Sequence, residues 1–168
     1  MRQRPGTQSP IIEIAAAAMA RVQRSLRSRA LSFLARREHS RAELARKLAL
    51  HAEEGENIDA VLDDLAGKGW LSDTRFAEQT IRSKARRFGP RKLAQELRSK
   101  GVDEESIAAG MRAAGADGVS SIEAIWRRRF RAPPANERER ARQVRFLQGR
   151  GFALDEIFKF LKDPEVPQ

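Results

Sequence analysis

GWLSDTRFAEQTIRSKARRFGPRKLAQELRSKGV, residues 69–102, is the stretch whose reading decides the fold. It contains two helices and their stops. Ser72 has the side chain of an N-cap, and Leu71 and Phe76 fall where a hydrophobic staple would clamp across it. Phe76, Ala77, Thr80, Ile81, Ala85 and Phe88 then recur at helical spacing, with Gln79, Arg82, Arg86 and Arg87 on the other side. One face packs and the other is cationic. Gly89-Pro90 ends this helix and starts the next, because a first-turn residue has no intrahelical use for the N–H that proline lacks. Leu93, Ala94 and Leu97 form the second apolar stripe. Arg91, Lys92, Gln95 and Arg98 lie outside it, and Lys100-Gly101 supplies a C-terminal stop.

Working outward, the same units recur. Leu44, Leu48, Ile58 and Leu62 return 49 residues later as Leu93, Leu97, Ile107 and Met111. Leu97, Gly101, Ile107 and Met111 return 50 residues later as Leu147, Gly151, Ile157 and Leu161. Spacing of this kind marks repeated supersecondary units. The expected fold is all-α: three tandem three-helix repeats, helix-turn-helix-like, in an elongated curved array with an N-terminal helical extension. The boundaries read as 1–24 for an arm and extension helix, 25–69 for repeat 1, 70–117 for repeat 2, and 118–168 for repeat 3 with a tail ending in Pro164 and Pro167. The apolar sides of the three units are expected to join into one continuous spine.

Local signals support this partition. Ser40-Arg41-Ala42-Glu43 and Ser120-Ser121-Ile122-Glu123 read as capping boxes, and Asn57 as the cap of a helix that stops at Gly67-Lys68-Gly69. Leu26, Ala30, Phe33 and Leu34 mark the first helix of repeat 1, preceded by Ile11, Ile14, Ala15, Ala18, Met19 and Val22 in the extension. Val102 and Ile107 form a second staple around Asp103, and Gly115 to Gly118 a break. Ile122, Ile125, Trp126 and Phe130 share a side, Ala132-Pro133-Pro134-Ala135 is a linker, and Asn136 opens the helix carrying Val144 and Leu147. Phe152, Ile157, Phe158 and Leu161 are assigned to the last helix.

The ordered set Gly69-Trp70-Leu71, Asp73, Arg75-Phe76, Phe88-Gly89-Pro90, Glu96-Leu97 and Lys100-Gly101-Val102 resembles the middle repeat of the RecX family. The likeness extends more weakly over residues 26–162. Members of that family are cytoplasmic bacterial modulators of the RecA recombinase. The resemblance implies a non-enzymatic regulator that binds the RecA filament on DNA in its groove. It would suppress filament growth and the ATPase, strand-exchange and coprotease activities.

Composition agrees with an anionic partner. The 168 residues carry a formal charge of +10 and a sequence pI of about 11.0, which suits nucleic acid or an acidic protein surface without choosing between them. The chain has no cysteine, which removes disulfides and thiolate metal sites. Glu13 interrupts the early apolar run, against a secretory leader, and no apolar stretch approaches the ~20 residues of a membrane span. A cytoplasmic monomer is expected, without cofactor, metal or membrane.

No catalytic constellation stands out. Leu65-Ala66-Gly67-Lys68-Gly69 lacks the Ser or Thr and the glycine spacing of a phosphate loop. His39 and His51 read as helix-end or surface residues, Trp70 and Trp126 as core or inter-repeat packing. The acidic set Glu53, Glu54, Glu56, Asp59, Asp63 and Asp64 reads as a solvated face or a contact for basic residues. Cations remain. The expected partner-binding or DNA-binding set is Arg82, Arg86, Arg87, Arg91, Lys92 and Arg98, extended by Arg128, Arg142 and Arg145. Such arginines pair bidentately with carboxylates or phosphates. The alternative to filament docking is a helix-turn-helix-like protein that holds single- or double-stranded DNA by its phosphate backbone and competes for it.

Overall fold

The computed structural model describes residues 25–118 and 121–162, and every regular element among them is helical. The expected extension helix within 1–24, the Ser120 cap and the proline-bearing tail lie outside the described residues. The first unit holds α1 (Leu26–Leu34), α2 (Arg41–Ala49) and α3 (Ile58–Gly67). The second holds α4 (Asp73–Lys84), α5 (Pro90–Ser99) and α6 (Glu104–Gly118). The third holds α7 (Ile122–Arg127), α8 (Glu137–Arg150) and α9 (Leu154–Lys162).

Short polar side chains set the starts. Ser40 Oγ accepts from the Glu43 N–H, Asn57 Oδ1 from Ala60 and Ser72 Oγ from Arg75, so each occupies one first-turn donor. The expected box at Ser40 closes only halfway, because Glu43 turns its carboxylate to Arg37. The cap of α7 is Ser121, which takes the Ala124 N–H. Gly115, with φ of 68°, breaks α6 where a break was expected.

Each unit has its own core. Leu26, Ala30, Leu44, Leu48, Leu62, Leu65 and Leu71 form the first. Phe76, Ala77, Ile81, Leu93, Leu97, Val102, Ile107 and Ala114 form the second. Ile125, Trp126, Leu147, Phe152, Ile157 and Leu161 form the third. This corrects the expected continuous spine: the staple residues Leu71 and Phe76 belong to different cores. Other departures follow from facing. Trp70 is 46 % exposed, Phe158 40 % exposed and replaced inside by Phe160, and His39 only 2 % exposed. Gln143 takes the place that Leu44 and Leu93 hold in their units, because the Trp126 indole N–H needs an acceptor and finds Gln143 Oε1 at 2.7 Å.

Helix ends, rather than apolar faces, join the units. The N-terminus of α5 has no side-chain cap; the Gly89 N–H donates to the Arg150 carbonyl at 2.7 Å and the Arg91 N–H to the Gly151 carbonyl at 3.1 Å. Donors left over at the start of α5 thus meet acceptors left over at the end of α8, and the helix dipoles meet with opposite ends. At the other joint the end of α5 meets the start of α2: Ser40 Oγ donates to the Lys100 carbonyl at 2.7 Å, and the Arg41 N–H reaches Asp73 Oδ1 at 2.7 Å.

Both joints need a glycine. A Cβ on Gly101 would sit 2.5 Å from Ala42 Cβ, and one on Gly151 2.5 Å from Lys92 Cβ, at φ of 77° and 96°. Gly149, inside α8, has nothing within 4 Å of the corresponding position. Gly101→Ala and Gly151→Ala should each destabilise the chain by about 1–3 kcal/mol in urea unfolding, while Gly149→Ala should stabilise it by about 0.5–1 kcal/mol.

Candidate functional site

The turn after α4 places Arg86, Arg87 and Phe88 beside the second joint, and the first turn of α5 adds Arg91 and Lys92. Phe88 gathers cations on its ring: Arg87 lies 5.4 Å from its centroid, Lys92 4.8 Å and Arg150 5.9 Å. Backbone carbonyls hold the rest of the charge. Arg128 donates to the Arg86 carbonyl, Arg150 to the Arg87 carbonyl and Lys92 Nζ to the Gly149 carbonyl. Among the described residues no carboxylate pairs with Arg86, Arg87, Arg91, Lys92, Arg128 or Arg150. Aromatic faces and carbonyl oxygens offset part of the mutual repulsion and leave the net charge in place.

The remaining expected residues divide differently. Arg82 pairs with Glu78 at 3.0 Å and donates to the Ala113 carbonyl. Arg98 forks onto Glu104, whose carboxyl that guanidinium holds below its usual range. Those two cations are neutralised within their own unit. Arg142 stacks near Phe130 and, with Arg138 and Arg145, lines a polar cavity of about 440 Å³ at the start of α8. The structure therefore brings Arg86, Arg87, Arg91, Lys92 and Arg128 together, adds Arg150, and sets Arg142 and Arg145 apart on α8. The Glu78–Arg82 pair is legible from its four-residue spacing; the role of Arg150 follows only from the joint.

The acidic set serves as a contact for basic residues. Asp59 and Asp63 hold Arg41, and Asp64 holds Arg27 and Lys68. The same two cations sit over the exposed Trp70 ring. No group of metal-ligating residues occurs among the described residues, and no helix there is long and apolar enough to cross a membrane.

The first joint is polar, with His39 and Ser40 buried in it and Asp73 half-buried. Arg75 reaches Glu38 at 2.9 Å, and burial pushes the Asp73 carboxyl up despite its bond from the Arg41 N–H. His39 Nδ1 lies 3.0 Å from the Arg37 carbonyl and Nε2 2.9 Å from Lys47 Nζ. A carbonyl only accepts and an ammonium only donates, so the imidazole is neutral with its hydrogen on Nδ1. Burial accordingly lowers its pKa, helped by the Arg37 and Lys47 charges.

Three-helix units repeated in tandem, joined at helix ends and carrying a concentrated cationic surface, define a helical-repeat protein. Residues 27–65, 72–111 and 117–161 match the first, second and third three-helix domains of RecX. The chain is 47 % identical over 142 residues to the regulatory protein RecX of Leptothrix cholodnii, covering 84 % of this chain and 90 % of that one. It is 46 % identical to that of Ralstonia nicotianae, covering 84 % and 89 %. A crystal structure of RecX from Lactobacillus salivarius superposes with a TM-score of 0.65 at 16 % identity, over 82 % of this chain and 92 % of that one, a likeness of fold. The chain belongs to the RecX family of regulatory proteins.

The His39 geometry fixes a sign for acidification. The unfolded chain takes up the proton near the ordinary histidine value of 6.5 and the folded chain only at lower pH, so stability is complete above that value and declines as pH falls below it. Thermal melting should show this decline between neutrality and about pH 5, and His39→Gln, which cannot titrate, should flatten it.

Proposed function

We propose that this chain docks on the RecA recombinase filament on DNA and inhibits filament growth, and with it the ATPase, strand-exchange and coprotease activities. It acts by binding and performs no reaction of its own. The observation that supports this most is the group of cations at the second joint with no carboxylate paired to them among the described residues. Within it we take Arg86 and Arg91 as the central contacts. Their neighbours Lys92, Arg128 and Arg150 are partly occupied in holding two units together, whereas these two guanidinium groups are not.

Several such contacts on one rigid array add up without any deep pocket. A tandem repeat spreads them along the partner. The filament presents both protein carboxylates and phosphates, and arginine forks onto either.

A second reading is favoured by Arg138, Arg142 and Arg145 on α8, which suit the phosphate backbone and would let the chain compete for DNA. Charge reversal separates the two. Arg86→Glu with Arg91→Glu should raise the concentration needed to halve recombinase ATPase by at least about tenfold, near 1.4 kcal/mol, with helicity by circular dichroism unchanged. Normal inhibition by that variant contradicts the assignment. Binding to naked single-stranded DNA that accounts for all inhibition, with a log–log salt slope of about −3.5 for five phosphates, favours competition instead.

A further inference from the structure

The three units share a plan, yet among the described residues the middle one lacks an arginine crossing from the start of its second helix to its third; its only bridge between them is Arg98, near the far end of α5, on Glu104. In the first unit Arg41 of α2 crosses to α3, pairing with Asp59 at 3.3 Å and Asp63 at 2.8 Å. In the third unit Arg140 of α8 crosses to α9, with its guanidinium 5.9 Å from the Phe158 ring centroid. Each outer unit is thereby strapped by an arginine at the same repeat position.

By the 49-residue and 50-residue spacing of the repeats, the middle unit has Pro90 where the others have Arg41 and Arg140, and Ala108 where they have Asp59 and Phe158. Neither residue can make the strap. Beneath it lies a groove of about 610 Å³ between α5 and α6, floored by Pro90, Ala94, Ile107 and Met111 and rimmed by Arg91 and Arg98. Met111 is only partly buried, whereas its counterparts Leu62 and Leu161 are 0 % and 8 % exposed. A flexible thioether at such a place adapts to an incoming side chain.

The occupant follows from the lining. The lining offers no aromatic ring for a base to stack on, and its polar groups, Arg91, Gln95 and Arg98, stand at the exposed rim rather than on the floor, which argues against a nucleic acid. An apolar floor beside one cationic rim fits an apolar side chain flanked by a carboxylate: Arg98 is already paired with Glu104, and Arg91 is the rim cation with no carboxylate of its own. We infer that the open groove of the middle unit is the anchor point for a partner protein, taking one apolar side chain whose neighbours on the partner carry Asp or Glu. The inference rests on the filament-docking reading and supplies the apolar contact that a purely cationic surface lacks.

Installing the missing strap tests it. Pro90→Arg with Ala108→Asp places across the groove the counterparts of Arg41 and Asp59, though not of Asp63, whose position Arg112 holds; it leaves net charge and every rim arginine unchanged, and Ala108 is exposed. Affinity for a preformed recombinase filament on single-stranded DNA, measured by co-sedimentation, should fall at least tenfold with the melting temperature preserved. A photo-crosslinking benzoylphenylalanine in place of Gln95, on the exposed rim, should capture the recombinase at an apolar residue beside Asp or Glu, and decides the matter if the strapped variant melts early. Wild-type binding to the filament with equal binding by a stable strapped variant, or Gln95 crosslinks to DNA alone, overturns the groove while leaving the docking reading intact. Failure of the wild-type chain to bind the filament overturns both.

Discussion

The Gly89 N–H reaching the Arg150 carbonyl across a unit boundary is the contact on which the array depends. A helix start has donors without partners and a helix end has acceptors without partners, and burying either unpaired costs about 1–3 kcal/mol per group. Here one helix end satisfies the other. The device recurs at the first boundary, where Ser40 carries the hydrogen bond that glycine's backbone carries at the second. Six to eight buried residues per core make each unit marginal by itself, so these junctions matter to stability as well as to order.

The same junction collects charge. Docking the end of α8 on the start of α5 brings Arg150 and Arg128 to the turn that already carries Arg86 and Arg87. Left in water such a group would spread. The Phe88 ring and the carbonyls of Arg86, Arg87 and Gly149 hold it in place, so the surface is preorganised before any partner arrives. The chain belongs to a family of regulatory proteins, and this surface is where its cations stand without paired carboxylates among the described residues.

Much of this was legible in the chain because the signals are local. Ser72, Asn57 and Asn136 cap helices as their side chains demand, and the repeat of Leu97, Ile107 and Met111 as Leu147, Ile157 and Leu161 marks cores that exist. Gly101 and Gly151 read as helix stops, which they are; that each also leaves room for a neighbouring helix, at Ala42 and at Lys92, is a contact between distant segments and has no local pattern. For the same reason residue type misplaces His39, buried between Arg37 and Lys47, and Trp70, which lies open under two cations. Facing alone groups Arg82 and Arg98 with the docking set, although Glu78 and Glu104 occupy them.

The middle unit is distinguished by subtraction. Proline at 90 suits a helix start whose N–H would go unused, and it removes the arginine that straps the outer units. One residue thus serves the junction and opens the groove. Native-state hydrogen exchange at Gly89 and Arg91 tests the central claim most directly, since first-turn amides of a helix ordinarily exchange quickly. End-to-end docking predicts that both are protected to the level of the α5 interior, and that Gly151→Ala removes the protection. Exchange of both amides at the rate of an open chain end would contradict it.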